Sequence, residues 1–216
     1  MKTTVIIPCY GQAEFLSEAI ESALSQTVPC EIIVVNDGSP DNTKEIAKKY
    51  PVKLINQVNK GLASARNTGI MNASGDYILP LDADDVLFAD AVEKLQQEAE
   101  KSGADIIAPE FQTFGMTQTR FKYGDIPTLE MFWEANRLPY FCLIKKSALL
   151  EIGGYQPKMT HGWEDLHLWF DLLRRGKTIS LVRESLVLYR TKEKSMITEA
   201  NKHADELWAQ IHKDHD

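Results

Sequence analysis

The sequence predicts an α/β fold: one Rossmann-like domain with a mostly parallel central sheet flanked by helices, plus a C-terminal helix. Three observations carry that expectation. Short apolar strand patterns alternate with helical stripes through the first half of the chain, the rhythm of a parallel sheet covered on both faces. A chain of 216 residues, 44% of them hydrophobic, can bury one full core of the larger α/β size. Acidic side chains gather just beyond apolar strand runs, where open parallel sheets bind their ligands.

In order, Thr3 to Ile7 reads as a strand, and Phe15, Leu16, Ala19, Ile20, Ala23 and Leu24 form a helical stripe. Glu31 to Val35 is the second strand. Asp37-Gly38-Ser39-Pro40-Asp41 then supplies a turn and cap for a helix over Asn42 to Tyr50. Val52 to Ile55 is a third strand and Gly61 to Ala73 a helix. Tyr77 to Leu81 is a short buried fourth strand, Phe88 to Lys101 a helix, and Ala104 to Ala108 a fifth strand. After Pro109 the rhythm breaks. Phe111 to Tyr123 suggests a hairpin, Leu129 to Asn136 a short helix, and Tyr140 to Ile144 a return to the sheet. Leu166, Trp169, Phe170 and Leu173 mark an amphipathic helix; Thr178 to Val182 and Leu186 to Tyr189 read as two more strands. The expected organisation is a catalytic domain over 1–198, with halves at 1–108 and 109–198, and a helical tail over 199–216.

Composition narrows the partners. A net charge of -7 argues against nucleic acid or an anionic membrane as the main partner. Cys9, Cys30 and Cys142 are odd in number and scattered, as expected of reduced thiols rather than a disulfide frame or zinc site. His161 and His167 are six apart and do not share a helix face, so they are not expected to form a zinc pair. The start of the chain lacks a signal-peptide pattern, and no apolar run reaches the roughly 20 residues of a membrane span. A cytoplasmic protein with no transmembrane segment is the expectation. In the tail, Ala204, Leu207, Trp208 and Ile211 share one stripe, expected to dock on the domain or on a second copy in a homodimer. Peripheral membrane association is the weaker alternative, because Glu199, Asp205, Glu206, Asp214 and Asp216 outnumber Lys202 and Lys213.

Four strand-end features could carry chemistry. Tyr10 follows the first strand, where an aromatic ring can stack on a base or simply pack. Asp37 follows the second, able to accept hydrogen bonds from a nucleotide or to cap the next helix. Arg66 stands on a helix whose start is rich in small residues, suited to a diphosphate or base edge. Asp82, Asp84 and Asp85 follow the fourth strand; three carboxylates in four residues need a cation, protons or water, unless they form an acidic turn with Asp85 as a cap. Neither GxxxxGK[ST] nor GxGxxG occurs, so a P-loop and a dinucleotide fingerprint are both absent.

Taken in order, Val5-Ile6-Ile7-Pro8-Cys9-Tyr10, Val34-Val35-Asn36-Asp37-Gly38-Ser39, Gly61-Leu62-Ala63-Ser64-Ala65-Arg66-Asn67 and Leu81-Asp82-Ala83-Asp84-Asp85 closely resemble the family 2 glycosyltransferases. Gly162-Trp163-Glu164-Asp165 is similar to the Glu-Asp motif of that family, and Tyr189-Arg190 with Ser195 to its C-terminal signature. The resemblance covers roughly residues 3–196. It implies the A-type nucleotide-sugar fold and inverting transfer from a UDP-sugar donor to a hydroxyl of a glycan or glycan-precursor acceptor. By position it implies that Pro8, Tyr10 and Asp37 hold the base, with Arg66 nearby. Asp82 would face the ribose or the metal, Asp84 would ligate Mn²⁺ or Mg²⁺, and Arg190 would approach the diphosphate. Asp165 would be the general base, with Glu164 beside it, and a position at a helix start would favour its ionised form. Asn36 and Gly11 depart from the family pattern, and Lys192 and Lys194 occupy a stretch that often carries a His. Two other readings stand beside this one: an inactive nucleotide-sugar-binding module, and a sugar-phosphate nucleotidyltransferase. The latter would need a Gly-rich, Arg-bearing loop that Tyr10-Gly11-Gln12-Ala13 lacks.

Overall fold

The computed structural model describes residues 1–193 and 200–215; Lys194, Ser195, Glu199 and Asp216, named above, lie outside them. Strand β1 (Thr3–Cys9) is buried over its whole length, as its run of β-branched residues requires. It pairs in parallel with β2 (Glu31–Asn36) on one side and β4 (Tyr77–Pro80) on the other, and β3 (Lys53–Asn56) extends the sheet beyond β2. Past β4 the sheet changes character. The short strand β8 (Leu143–Lys145) enters antiparallel between β4 and β6 (Ile106–Gly115). Strand β9 (Ile179–Thr191) runs parallel to β6 and pairs with β5 (Val86–Leu87), while β7 (Arg120–Phe121) pairs with the far end of β6. The path is β3-β2-β1-β4-β8-β6-β9-β5.

Alternation along β1 sends its side chains into two cores. Val5, Ile7 and Cys9 pack under α1 (Ala13–Leu24), α2 (Thr43–Ala47) and α4 (Ala91–Ser102). Ile6 faces α3 (Leu62–Asn72), on the side that also holds α5 (Leu129–Phe132), α6 (Lys146–Ile152), α7 (Glu164–Arg174) and the final helix α8 (Ala204–His215). Leu207 and Ile211 of α8 are buried in this second core, with Trp208 partly covered against it. Each buried aliphatic side chain contributes about 1.5–3 kcal/mol, enough to hold the tail stripe on its own domain.

Several sequence expectations shift. Phe88 to Lys101 begins its helix three residues late, because Val86–Leu87 first pairs with β9. The two strands expected at Thr178 to Val182 and Leu186 to Tyr189 are one strand, which bends where its register on β6 slips around Glu110. The polar pair Arg183-Glu184 sits in this bend. Helix α6 had no expectation, and the helix after Asp37 is shorter than Asn42 to Tyr50. Cys9 and Cys142 are buried free thiols, and Cys30 a half-buried one. No helix among the described residues is long and apolar enough to cross a membrane.

Gly69 lets α3 lie close on β1: a Cβ built there would meet Ile6 Cγ2 at 2.4 Å. Gly69→Ala should therefore cost about 1–3 kcal/mol by overpacking. Urea unfolding would measure this, and an unchanged midpoint would show that β1 and α3 can move apart freely.

Candidate active site

Because β1, β2 and β4 are parallel, their carboxyl ends share one edge, and the strand order reverses between β1 and β4. The crevice at such a reversal is the usual ligand site of open α/β sheets. A cavity of about 420 Å³ lies there, lined by Pro8, Tyr10, Asp37, Gly61, Asp82 and Glu164 among others. That volume lies within the range of small-ligand sites. Tyr10 is 53% exposed at its mouth, a free aromatic face. Asp37 is buried and accepts hydrogen bonds from Gln57 Nε2 at 2.7 Å and from the backbone N–H groups of Lys60 and Gly61 at 2.9 Å. It therefore ties β2 to the loop before α3 rather than capping α2. Gly38 permits this closeness: its φ is +70°, and a Cβ there would fall 2.7 Å from Asn59 N.

Arg66 is the buried centre of the site. Its guanidinium is 1% exposed and bridges Asp82 Oδ1 at 2.7 Å and Glu164 Oε1 at 2.6 Å. The rings of Tyr140 and Tyr155 lie 4.8 and 5.2 Å from its central carbon. Nε is buried with no hydrogen-bond partner. Arg66 thus does not line the cavity expected to hold the base; it holds two of the carboxylates that form the cavity wall.

The three aspartates after β4 have three environments. Burial raises the Asp82 carboxyl to about 6, against the pull of Arg66. Asp84 Oδ2 meets Lys192 Nζ at 2.6 Å. Asp85 is fully enclosed and no helix cap: it accepts hydrogen bonds from the Tyr140 hydroxyl at 2.5 Å and the Arg190 backbone N–H at 2.7 Å. Desolvation, with Asp84 and Asp82 nearby, raises its pKa well above the carboxylate range. Tyr140 also accepts from the Asp82 backbone N–H at 2.9 Å, so one phenol pins both ends of the acidic loop. Arg190 donates from Nε to the Asp84 carbonyl at 2.8 Å, pairs with Glu18, and lies over the rings of Phe15 and Phe114.

Hard carboxylate oxygens at Asp82 and Asp84 suit Mg²⁺ or Mn²⁺, which take one or two carboxylates and complete their shell with substrate phosphates. Asp85 faces inward and is no candidate ligand. The charges also fit: Asp82, Asp84 and Glu164 stand against Arg66 and Lys192, leaving anionic excess for a bound cation.

Glu164 and Asp165 open α7 after a strained turn. Gly162 has φ +122°, and Trp163, at φ +59°, is the one non-glycine residue with positive φ among those described. This turn aims adjacent carboxylates at different spaces. Glu164 lines the first cavity, whereas Asp165 lines a second of about 950 Å³ with Phe111, Phe121, Tyr189 and Asn136. Asp165 accepts from Asn136 Nδ2 at 2.9 Å and from the Leu166 N–H at 2.7 Å. The helix start favours its anion, but burial and the adjacent Glu164 win, raising its pKa to about 7. Tyr140, Tyr155 and Asn136 carried no signal in the sequence; they reach the site only through tertiary packing.

The sequence profile of Glycosyl transferase family 2 matches residues 4–156. The chain belongs to that family. The glycosyltransferase GlyG of Streptococcus pneumoniae is 28% identical over 90% of this chain and 72% of its own length. The minor teichoic acid biosynthesis protein GgaB of Bacillus subtilis is 33% identical over 95% of this chain, which spans only 25% of GgaB. The structure of TarS from S. aureus, residues 1–349 in complex with UDP-GlcNAc, superposes with a TM-score of 0.80 at 19% identity, covering 92% of this chain and 61% of that one. This glycosyl transferase family 2 chain therefore shares the TarS fold.

Removing Arg66 would leave Glu164 as an uncompensated buried charge and Asp82, partly covered, without its partner. Arg66→Ala should cost about 3–5 kcal/mol in denaturant unfolding. A loss below about 1 kcal/mol, the worth of a surface pair, would show that the bridge does not hold the site.

Proposed function

We propose that this chain is an inverting glycosyltransferase that moves a sugar from a UDP-sugar to a hydroxyl of a sugar or glycan-precursor acceptor, with Asp165 as general base. The observation that carries this reading is the adjacent carboxylate pair, with Glu164 on one cavity and Asp165 on the other. A base on the far side of the donor cavity suits displacement with inversion. The acceptor oxygen attacks the anomeric carbon as Asp165 takes its proton, and the bond to the diphosphate oxygen breaks with its electrons leaving on UDP. A carboxyl with a pKa near 7 is well matched to that task.

Tyr10 and Asp37 are assigned to the base of the donor, with Pro8 beneath it. Arg66 holds Asp82 and Glu164 in register, and Arg190 holds the acidic loop near the diphosphate. Lys192 offers its ammonium at the same edge. A divalent ion on Asp84 and Asp82, when bound with the diphosphate, would stabilise the charge on the leaving group. TarS in complex with UDP-GlcNAc, and TarS with UDP, support a UDP-sugar donor. The second cavity, walled by stacked Phe111 and Phe121 with Tyr189, suits the apolar faces of sugar rings. The name of GgaB supports a cell-surface glycan precursor as acceptor.

Asp165→Asn should retain UDP binding by isothermal titration while kcat falls by roughly 10²–10⁴. Wild-type kcat should fall as pH drops through about 7, because the protonated carboxyl cannot act as base. Asn136→Ala removes a hydrogen bond to the anion, so this limb should move up by roughly 0.5–1 unit. UDP binding with no donor turnover in the wild type would instead indicate a binding module.

Chelator should abolish activity, and Mn²⁺ or Mg²⁺ should restore it. Lys192→Ala removes a rival cation from Asp84, so half-activation should need less metal. Full turnover in chelator that is lost in Lys192→Ala would mean the chain supplies the cation itself.

A further inference from the structure

Away from the proposed transfer site, α7 and α8 meet at a cluster of imidazoles and carboxylates. His167 and Asp171 are one turn apart on α7, and His215 comes from α8. One ligand atom from each lies within 4.8 Å of the others. His167 and His215 are 2% and 4% exposed, and only Asp171, at 27%, opens the cluster to water. Two of its nitrogens lack hydrogen bonds. His167 Nδ1 lies 3.2 Å from Asp171 Oδ2 without hydrogen-bond geometry, and His215 Nε2 is buried with no partner. His215 Nε2, with no partner at all, costs free energy unless something binds it. The two rings meet edge to face, with centroids 4.4 Å apart.

The other nitrogen of His167 shows which tautomer is favoured. Nε2 lies 2.9 Å from Asp214 Oδ2, and Asp214 is itself held by Lys158 and Gln210. A carboxylate on Nε2 fixes a proton there, so Nδ1 is the nitrogen left for an ion, which would displace the second proton that Asp171 and Asp214 favour on this ring against its desolvation. That is the carboxylate–histidine arrangement found behind metal-bound imidazoles. Two imidazoles and a carboxylate, with two ligands spaced i and i+4 on one helix, match the donor chemistry of zinc.

We propose that His167, Asp171 and His215 bind one Zn²⁺, with water as the fourth ligand and Asp214 orienting His167. The ion staples α8 to α7, the helix whose first turn carries Glu164 and Asp165. This goes beyond the transferase reading and does not depend on it. A rival reading is a doubly protonated His167 shared by Asp171 and Asp214, with no metal.

The test uses the full chain, stripped with chelator and free of nucleotide, titrated with Zn²⁺ against a chromophoric competitor. One ion should bind per chain, and Co²⁺ should give the visible spectrum of a four-coordinate nitrogen–oxygen site. His215→Ala should weaken Zn²⁺ binding more than about 100-fold and Asp214→Asn about 10–100-fold. Asp171→Asn, at a partly exposed position, provides a second ligand variant should His215→Ala fail to fold. His203→Ala and Asp84→Asn should leave the affinity unchanged, since the His161–His203–Glu206 cluster and the acidic loop are separate sites. No stoichiometric Zn²⁺ uptake would overturn the proposal. So would binding that survives the loss of His215 or Asp171 and disappears with His203 or Asp84.

Discussion

The bridge from Arg66 to Asp82 and Glu164 is the interaction on which the rest of the site depends. It joins the loop after β4 to the start of α7, segments separated by more than 80 residues, through one buried guanidinium. A planar fork can address two carboxylates at fixed angles, which a lysine ammonium cannot do. Its two flanking tyrosines remove water and hold the plane of the fork. Tyr140 then passes this order onward, because the same phenol that covers Arg66 bonds Asp85 and the Asp82 backbone.

Neighbouring carboxylates acquire different properties by environment alone. Glu164 has a guanidinium against it, whereas Asp165, one residue later, has an amide and a backbone N–H. The first is held as a partner in an ion pair, and the second is left buried with little compensation, so its proton affinity rises. The left-handed turn at Gly162 and Trp163 makes this division possible by setting the phase of the helix. Chain order thus brings the two acids together, while fold geometry separates their work.

Much of the fold was legible in the sequence. The β1 to β4 half follows local pattern, since its strands are short apolar runs, α1 is an apolar stripe, and turn residues such as Asp37-Gly38 and Gly61 mark where α2 and α3 begin. The second half was harder, because β8 and β5 are too short to show a period and β9 bends around a polar pair. In the site, Asp37, Arg66, Asp82, Asp84, Glu164 and Asp165 stand out as charged residues at strand ends or a helix start. What each does was less visible. Arg66 reads as a ligand contact from its position, but burial makes it a bridge between carboxylates. Tyr140, Tyr155 and Asn136 look like ordinary core or loop residues, and only packing across the sheet brings them to the chemistry. Lys192 could be read as a departure from a pattern, but its contact with Asp84 depends on how β9 ends.

The insertion of β8 between β4 and β6 has a consequence for how the chain comes into being. Residues 143–145 fill a slot whose two walls, 77–80 and 106–115, are synthesised earlier. A nascent chain that has emerged only as far as β6 carries an open β4 edge and a β6 segment whose partners β7, β8 and β9 have yet to appear. Such edges invite pairing with other chains until they are covered. The first 108 residues are therefore no free-standing module, although they contain Tyr10, Asp37, Arg66 and the acidic loop. Glu164, the second partner of Arg66, and Arg190, whose backbone anchors Asp85, both emerge after the gap has been closed. On the ribosome, Glu164 follows the closing of that gap, and Arg190 arrives within β9, the last strand to join the sheet.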